Sequence, residues 1–114
     1  MQDAQKALDS AKTAADASKT FLDAMKKAAG YEKEFKYADA ATAYQEALKI
    51  RPKDVEAQAG LKKSQYNLNM VQGQQYLARS MFIDAQREFE SALRLFPNDP
   101  NALKLWQKAK NKMK

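Results

Sequence analysis

Residues 36–54, KYADAATAYQEALKIRPKD, and residues 81–99, MFIDAQREFESALRLFPND, are two versions of one 19-residue segment, and their reading decides the fold. Tyr37, Ala40, Ala41, Tyr44, Ala47 and Leu48 recur at steps of three and four, as do Phe82, Ala85, Phe89, Ala92 and Leu93. Each set makes one apolar helix face. Asp39 and Asp84 fall in the first helical turn, where negative charge complements the helix dipole, and Pro52 and Pro97 end the helices.

Working outward, residues 10–54 slide onto residues 55–99 without a gap, a 45-residue period. Met25 meets Met70, Tyr31 meets Tyr76, and Phe21 meets Tyr66. Asp54 caps a following helix, and Asp99 before Pro100 is a strong helix start, because proline at the first helical position loses no hydrogen bond. The pattern predicts five helices, at 3–35, 37–50, 54–79, 82–95 and 100–113, joined by short turns that make sequential neighbours antiparallel. Gly30, Gly60 and Gly73 fall inside these helices, each costing about 1 kcal/mol relative to alanine, so each is expected where helices pack closely. In the last helix Leu103, Leu105 and Trp106 stand against Lys, Gln and Asn, the pattern of a cap over an exposed repeat end.

Composition agrees with an all-helical chain. Alanine supplies 21 residues, whereas Leu, Ile, Val and Phe together supply 19, so helix is favoured over sheet and helices can approach closely. Length is that of one domain, 1–114. Without cysteine or histidine, the usual zinc sites, cysteine nucleophiles and serine–histidine relays cannot be built. No Gly-rich phosphate loop or calcium-type carboxylate run occurs, and the pairs Glu32 with Glu34 and Glu88 with Glu90 have a spacing that puts them on different helix faces. A non-enzymatic chain without cofactor or metal is expected. No apolar run is long enough for a membrane span, and the missing cysteines make the cytoplasm the default compartment.

The net charge of +6 is mostly local, since Lys104, Lys108, Lys110, Lys112 and Lys114 crowd the last eleven residues with no acid among them. A solvated helix end explains this more simply than a phosphate-binding tail. The pairs Lys26–Lys27 and Lys62–Lys63 lack the interleaved aromatics that stack bases, so they read as solvated faces and nucleic acid is not an expected partner.

Residues 21–54 and 66–99 resemble the tetratricopeptide repeat, a helix-turn-helix of 34 residues. The matching positions are Tyr31, Tyr37, Ala40, Tyr44, Ala47, Leu48 and Pro52 in the first copy, and Gly73, Tyr76, Phe82, Ala85, Phe89, Ala92, Leu93 and Pro97 in the second. Ala24 and Asn69 stand where the family favours tryptophan, and Lys27 and Gln72 where it favours leucine. The other 11 residues per unit, 55–65 in the second copy, equal about three helical turns and lengthen the first helix without rotating its face. The resemblance implies an α-solenoid of two elongated hairpins, with residues 1–20 and 55–65 as helix extensions and 100–114 as a capping helix.

It also implies a protein-binding scaffold whose concave face holds a peptide or protein partner. Carried over singly, that face is Leu22, Met25, Ala29, Glu32 and Lys33 in the first repeat and Asn67, Met70, Gln74, Leu77 and Ala78 in the second. Flexible thioethers at Met25 and Met70 suit an adaptable groove, or else fill space between neighbouring helices. The family's clamp for chaperone C-terminal carboxylates is not expected, because Met25 and Ala29 occupy its first Lys and Asn places and neither donates a hydrogen bond to a carboxylate.

Two further features point to association. Met1, Ala4, Leu8, Ala11, Ala15, Ser18, Leu22, Met25 and Ala29 form a heptad seam, either a coiled-coil contact or an exposed helix whose hairpin partner belongs to a longer protein. Met81 and Ile83 flank Phe82 at a turn where the first copy has Lys36 and Ala38, so they are a candidate patch for a homo-oligomer or a protein partner, or fold back onto the adjacent helix.

Overall fold

The computed structural model describes residues 2–113, and the side chains of residues 15–113. The chain is all-α, with five helices and no strand among the described residues: α1 (Gln2–Lys33), α2 (Tyr37–Ile50), α3 (Val55–Ala78), α4 (Phe82–Leu95) and α5 (Pro100–Lys112). Contacts gather into two compact units, one up to Leu61 and one from Lys62, so α3 gives its first residues to the first unit and the rest to the second. The seam residues Met1, Ala4, Leu8 and Ala11 lie outside the described side chains.

In the first unit, α1 presents buried Phe21, Ala24 and Ala28 to the α2 face of Ala40, Ala43, Tyr44 and Ala47, while Ala57 of α3 closes the interior. The second unit gathers Met70, Ala85, Phe89, Ala92, Ala102 and Ala109 into one core. Most of these side chains are alanines, and their small size lets the helix backbones come close. Equivalent large rings fill the two units, Tyr44 in the first, where Phe21 is buried as well, and Phe89 in the second, 45 residues on. Tyr37 and Phe82, expected in the core, are only half-buried, because they open their helices and lie at the edge of the packing.

A glycine receives each ring. A Cβ on Gly60 would run into the Tyr44 ring, and one on Gly73 would lie 2.5 Å from Phe89. Gly30, expected at a close approach of the same kind, has nothing within 4 Å of its would-be Cβ. Gly30→Ala is therefore expected to stabilise by about 0.5–1 kcal/mol through helix propensity alone. Gly73→Ala should instead destabilise by about 1–3 kcal/mol, because the fully buried Phe89 ring has no room to retreat. Urea midpoints of the two variants, moving in opposite directions, check this.

Backbone geometry repeats where the residues do not. The α1–α2 turn ends with Phe35 at φ 61° and the α3–α4 turn with Ser80 at φ 59°. The N–H of Lys36 donates to the Tyr31 carbonyl at 2.9 Å and that of Phe35 to Glu32 at 3.0 Å; Met81 to Tyr76 at 2.9 Å and Ser80 to Leu77 at 3.1 Å repeat the pair. This is the double-bonded helix stop that usually carries glycine at its left-handed position. Here a phenylalanine and a serine hold it, at a cost of about 1–2 kcal/mol each.

Helix starts follow the carboxylates expected from sequence. The Ala57 N–H donates to Asp54 Oδ2 at 2.9 Å, and the Ala102 N–H to Asp99 Oδ2 at 2.9 Å, with Pro100 opening α5. The inner face of α5 is Ala102, Leu105, Trp106 and Ala109. Leu103, expected to belong to it, is exposed, since it falls between the residues that make that three-and-four spacing.

Candidate functional site

On α1, Leu22, Ala29 and Lys33 are exposed, Leu22 by 55%. Their spacing of seven and four keeps them on one side of the helix, while Phe21, Ala24 and Ala28 enter the core. Met25 is half-buried and packs against both small clusters of the first unit, so it borders the exposed stripe and props the interior. Glu32 has a structural task. Burial, then the charge of Glu32 and a hydrogen bond to it, push the Tyr44 hydroxyl up to about 12.

On α3 the five candidate residues divide differently. Gln74 and Ala78 are exposed, Asn67 is half-buried, and Leu77 is half-buried against the core. Met70 is 9% exposed and belongs to the core with Phe89, so of the two roles open to it from sequence, the structure gives it space-filling. Met70 and Met25 hold equivalent places in the two copies and each packs against residues of two other helices, but Met70 sits within its cluster while Met25 stays half-buried at the border of two.

Gln74, Leu77 and Ala78 line an open hollow of about 380 Å³ together with Phe82, Lys108 and Lys112. One wall comes from α3, the turn after it and the start of α4, with Leu77, Ala78 and Phe82 as its apolar part beside Gln74 and Ser80; the other is the lysine-bearing face of α5. Lys110 on the same helix is engaged elsewhere, over the Trp106 ring at 5.1 Å. The ion pair of Lys36 with Glu34 lies in the first unit, and among the described residues no salt bridge to a carboxylate engages Lys108 or Lys112.

The turn residues Met81 and Ile83 are 41% and 59% exposed. Sequence reading missed their neighbour in kind: Phe35, at the equivalent turn of the first unit, is 75% exposed and makes an edge contact with Tyr37 at 6.3 Å. The available signal was a large aromatic at a helix stop that normally holds glycine.

The carboxylates at two-residue spacing each have their own surroundings. Glu34 pairs with Lys36 at 3.2 Å, and Glu90 accepts from Trp106 Nε1 at 3.1 Å. Glu88 is held above the usual carboxylate range by burial and by Asp84 one turn away. Among the described residues no group of three or more acidic side chains converges to hold a metal, and no helix is long and apolar enough to cross a membrane.

Tyr66 closes the second unit much as Phe21 closes the first. Its hydroxyl donates to Asp99 Oδ2 at 2.5 Å and its ring meets Phe96 edge-on at 5.2 Å, while at the matching place Arg51 lies over Phe21 at 4.4 Å. Burial and Asp99 push the Tyr66 hydroxyl up to about 12. Tyr44 and Tyr66 thus hold their protons more tightly folded than unfolded, where the ordinary value is 10.0. Their contribution is complete below pH 10 and is lost as pH rises towards 12. Melting temperature is expected to fall across that window alongside the rise of tyrosinate absorbance, and Tyr44→Phe with Tyr66→Phe should flatten the fall.

Compared with family models, with curated proteins and with solved structures, the chain matches none.

Proposed function

We propose that this chain is a non-enzymatic helical-repeat module of the tetratricopeptide type, a two-hairpin α-solenoid with a capping helix, that binds a peptide or protein partner. One observation carries the reading. Both hairpins keep the same turns, stops and caps although the residues differ, while Leu22, Ala29 and Lys33, and again Gln74 and Ala78, remain exposed on first-helix positions that folding does not use. A scaffold conserved in backbone and free in surface is what a binding repeat requires.

A self-associating module is the second reading, favoured by Met81, Ile83 and Phe35, three large apolar side chains exposed at turns. One experiment separates the two. Sedimentation of the wild type at micromolar concentration gives its mass against 12.9 kDa, and affinity capture from native lysate is compared between the wild type and Leu22→Glu, Ala29→Glu. A monomer whose captured partner disappears in the double variant, at unchanged melting temperature, is the expected result. Identical capture by both proteins refutes a partner site on α1. A dimer that becomes monomeric on Met81→Lys, Ile83→Lys establishes self-association instead.

A further inference from the structure

Charge is divided unevenly between the two units. Residues 1–61 hold ten basic and ten acidic side chains, and residues 62–114 hold ten and four, so the whole net charge of +6 belongs to the second unit. Within that unit, Lys108 and Lys112 border the hollow floored by Leu77, Ala78 and Phe82. Both lysines are exposed and no described carboxylate pairs with them. The volume of about 380 Å³ lies near the lower end of the roughly 300–1,000 Å³ range of ligand clefts, room for side chains rather than for a folded domain.

We propose that this hollow takes an extended acidic–apolar–acidic segment of a partner protein, an inference that rests on the peptide-binding reading and names its chemistry. Lys108 and Lys112 are four residues apart on α5, so their Cα atoms are separated by about 6 Å along the helix. Two residues of an extended strand advance about 6.5–7 Å and return to the same side. Carboxylates at alternate positions therefore meet the two ammonium groups in register. The residue between them points the opposite way, to the wall of Leu77, Ala78 and Phe82, where an apolar side chain loses its contact with water. Two walls of different chemistry facing one strand are satisfied by that alternation and by no uniform sequence. Side-chain carboxylates are the ligands, so a chain terminus is not required.

Nucleic acid fits the same charges less well. Beside Leu77, Ala78, Gln74 and Ser80 the floor's one ring is half-buried Phe82, and Trp106 lies under Lys110 with its Nε1 held by Glu90, which leaves no open aromatic platform for a base there.

The test uses the full chain and peptides blocked at both ends, each with the same dye, read by fluorescence anisotropy. The probe carries glutamate, phenylalanine and glutamate in sequence; its comparisons replace both glutamates by glutamine, replace phenylalanine by alanine, or place the two glutamates together. The probe is expected to bind about tenfold tighter than any of the three, and about tenfold more weakly to Lys108→Glu, Lys112→Glu. Ala78→Gln, which narrows the apolar floor without changing charge, should abolish the preference for phenylalanine over alanine. If the glutamine or the rearranged peptide binds as well as the probe, the inference is overturned and the peptide-binding reading stands. Binding to none of the peptides, with a partner still captured through α1, overturns the inference alone; with no partner captured either, both fail. A short oligothymidylate that binds tighter than the probe and loses affinity in the lysine variant overturns it in favour of nucleic acid. Comparison among peptides needs no variant, so it decides even if a substitution disturbs folding.

Discussion

Phe89→Ala is expected to destabilise the protein by about 3–5 kcal/mol, at the upper end for a buried aromatic. The ring is 0% exposed and its surroundings are Met70, Gly73, Ala85, Ala92, Ala102 and Ala109. The cost of truncation depends on how far neighbours can move into the space. The four alanines and the glycine have no side chain to swing inward, which leaves Met70 as the one flexible neighbour within the buried cluster and much of the cavity unfilled. Against a total stability of about 5–15 kcal/mol for a domain, this is a large fraction. Tyr44→Ala should cost similarly in the first unit, and also frees Glu32 from its hydrogen bond. Urea titration followed by circular dichroism measures both, and a loss below about 1 kcal/mol at Phe89 contradicts the packing described.

Met70→Glu is the second large effect expected, exceeding the roughly 2–5 kcal/mol of a methionine-to-alanine change. It removes the thioether packing and places a carboxylate among Phe89 and four alanines, with no cation in that cluster to receive it. Leu22→Glu, on the exposed side of α1, should stay within about 0.5 kcal/mol of wild type. The Met70→Glu loss should shrink as pH falls, because burial raises the new carboxyl's pKa and acid supplies the neutral form the site tolerates. Equal melting temperatures for the two variants at neutral pH would return Met70 to the open face.

Much of the fold was legible because the features that define it are local. Helix faces with three-and-four spacing, Pro52 and Pro97 as stops, and Asp54 and Asp99 as caps predicted five helices to within two residues at most ends. The glycines were half legible. Gly60 and Gly73 receive rings, whereas Gly30 has an open side, and sequence has no means of telling a glycine under a ring from a glycine under water. The candidate face was harder. Periodicity places Met25 and Met70 at one helical phase, but depth of burial depends on which side chains fold over that phase, a tertiary property. The hollow beside Lys108 and Lys112 was illegible for the same reason, since it joins residues thirty or more positions apart on α3 and α5. Lysines read from sequence as a solvated end acquire a facing wall only in three dimensions.

The hydrogen bonds that fasten each unit, Arg51 to Ser18 and Tyr66 to Asp99, both span 33 residues. The ring of Tyr44 reaches Gly60 across sixteen residues, as Phe89 reaches Gly73. Such short chain separations give a low relative contact order, and helical proteins of that kind fold in microseconds to milliseconds. Each unit closes only small loops on the way to its core, so little chain entropy is lost before contacts reward it. Nascent chain emerging in order can therefore complete the Tyr44 core once α3 has begun, well before α5 exists, and the second core forms only when Ala102 and Ala109 arrive.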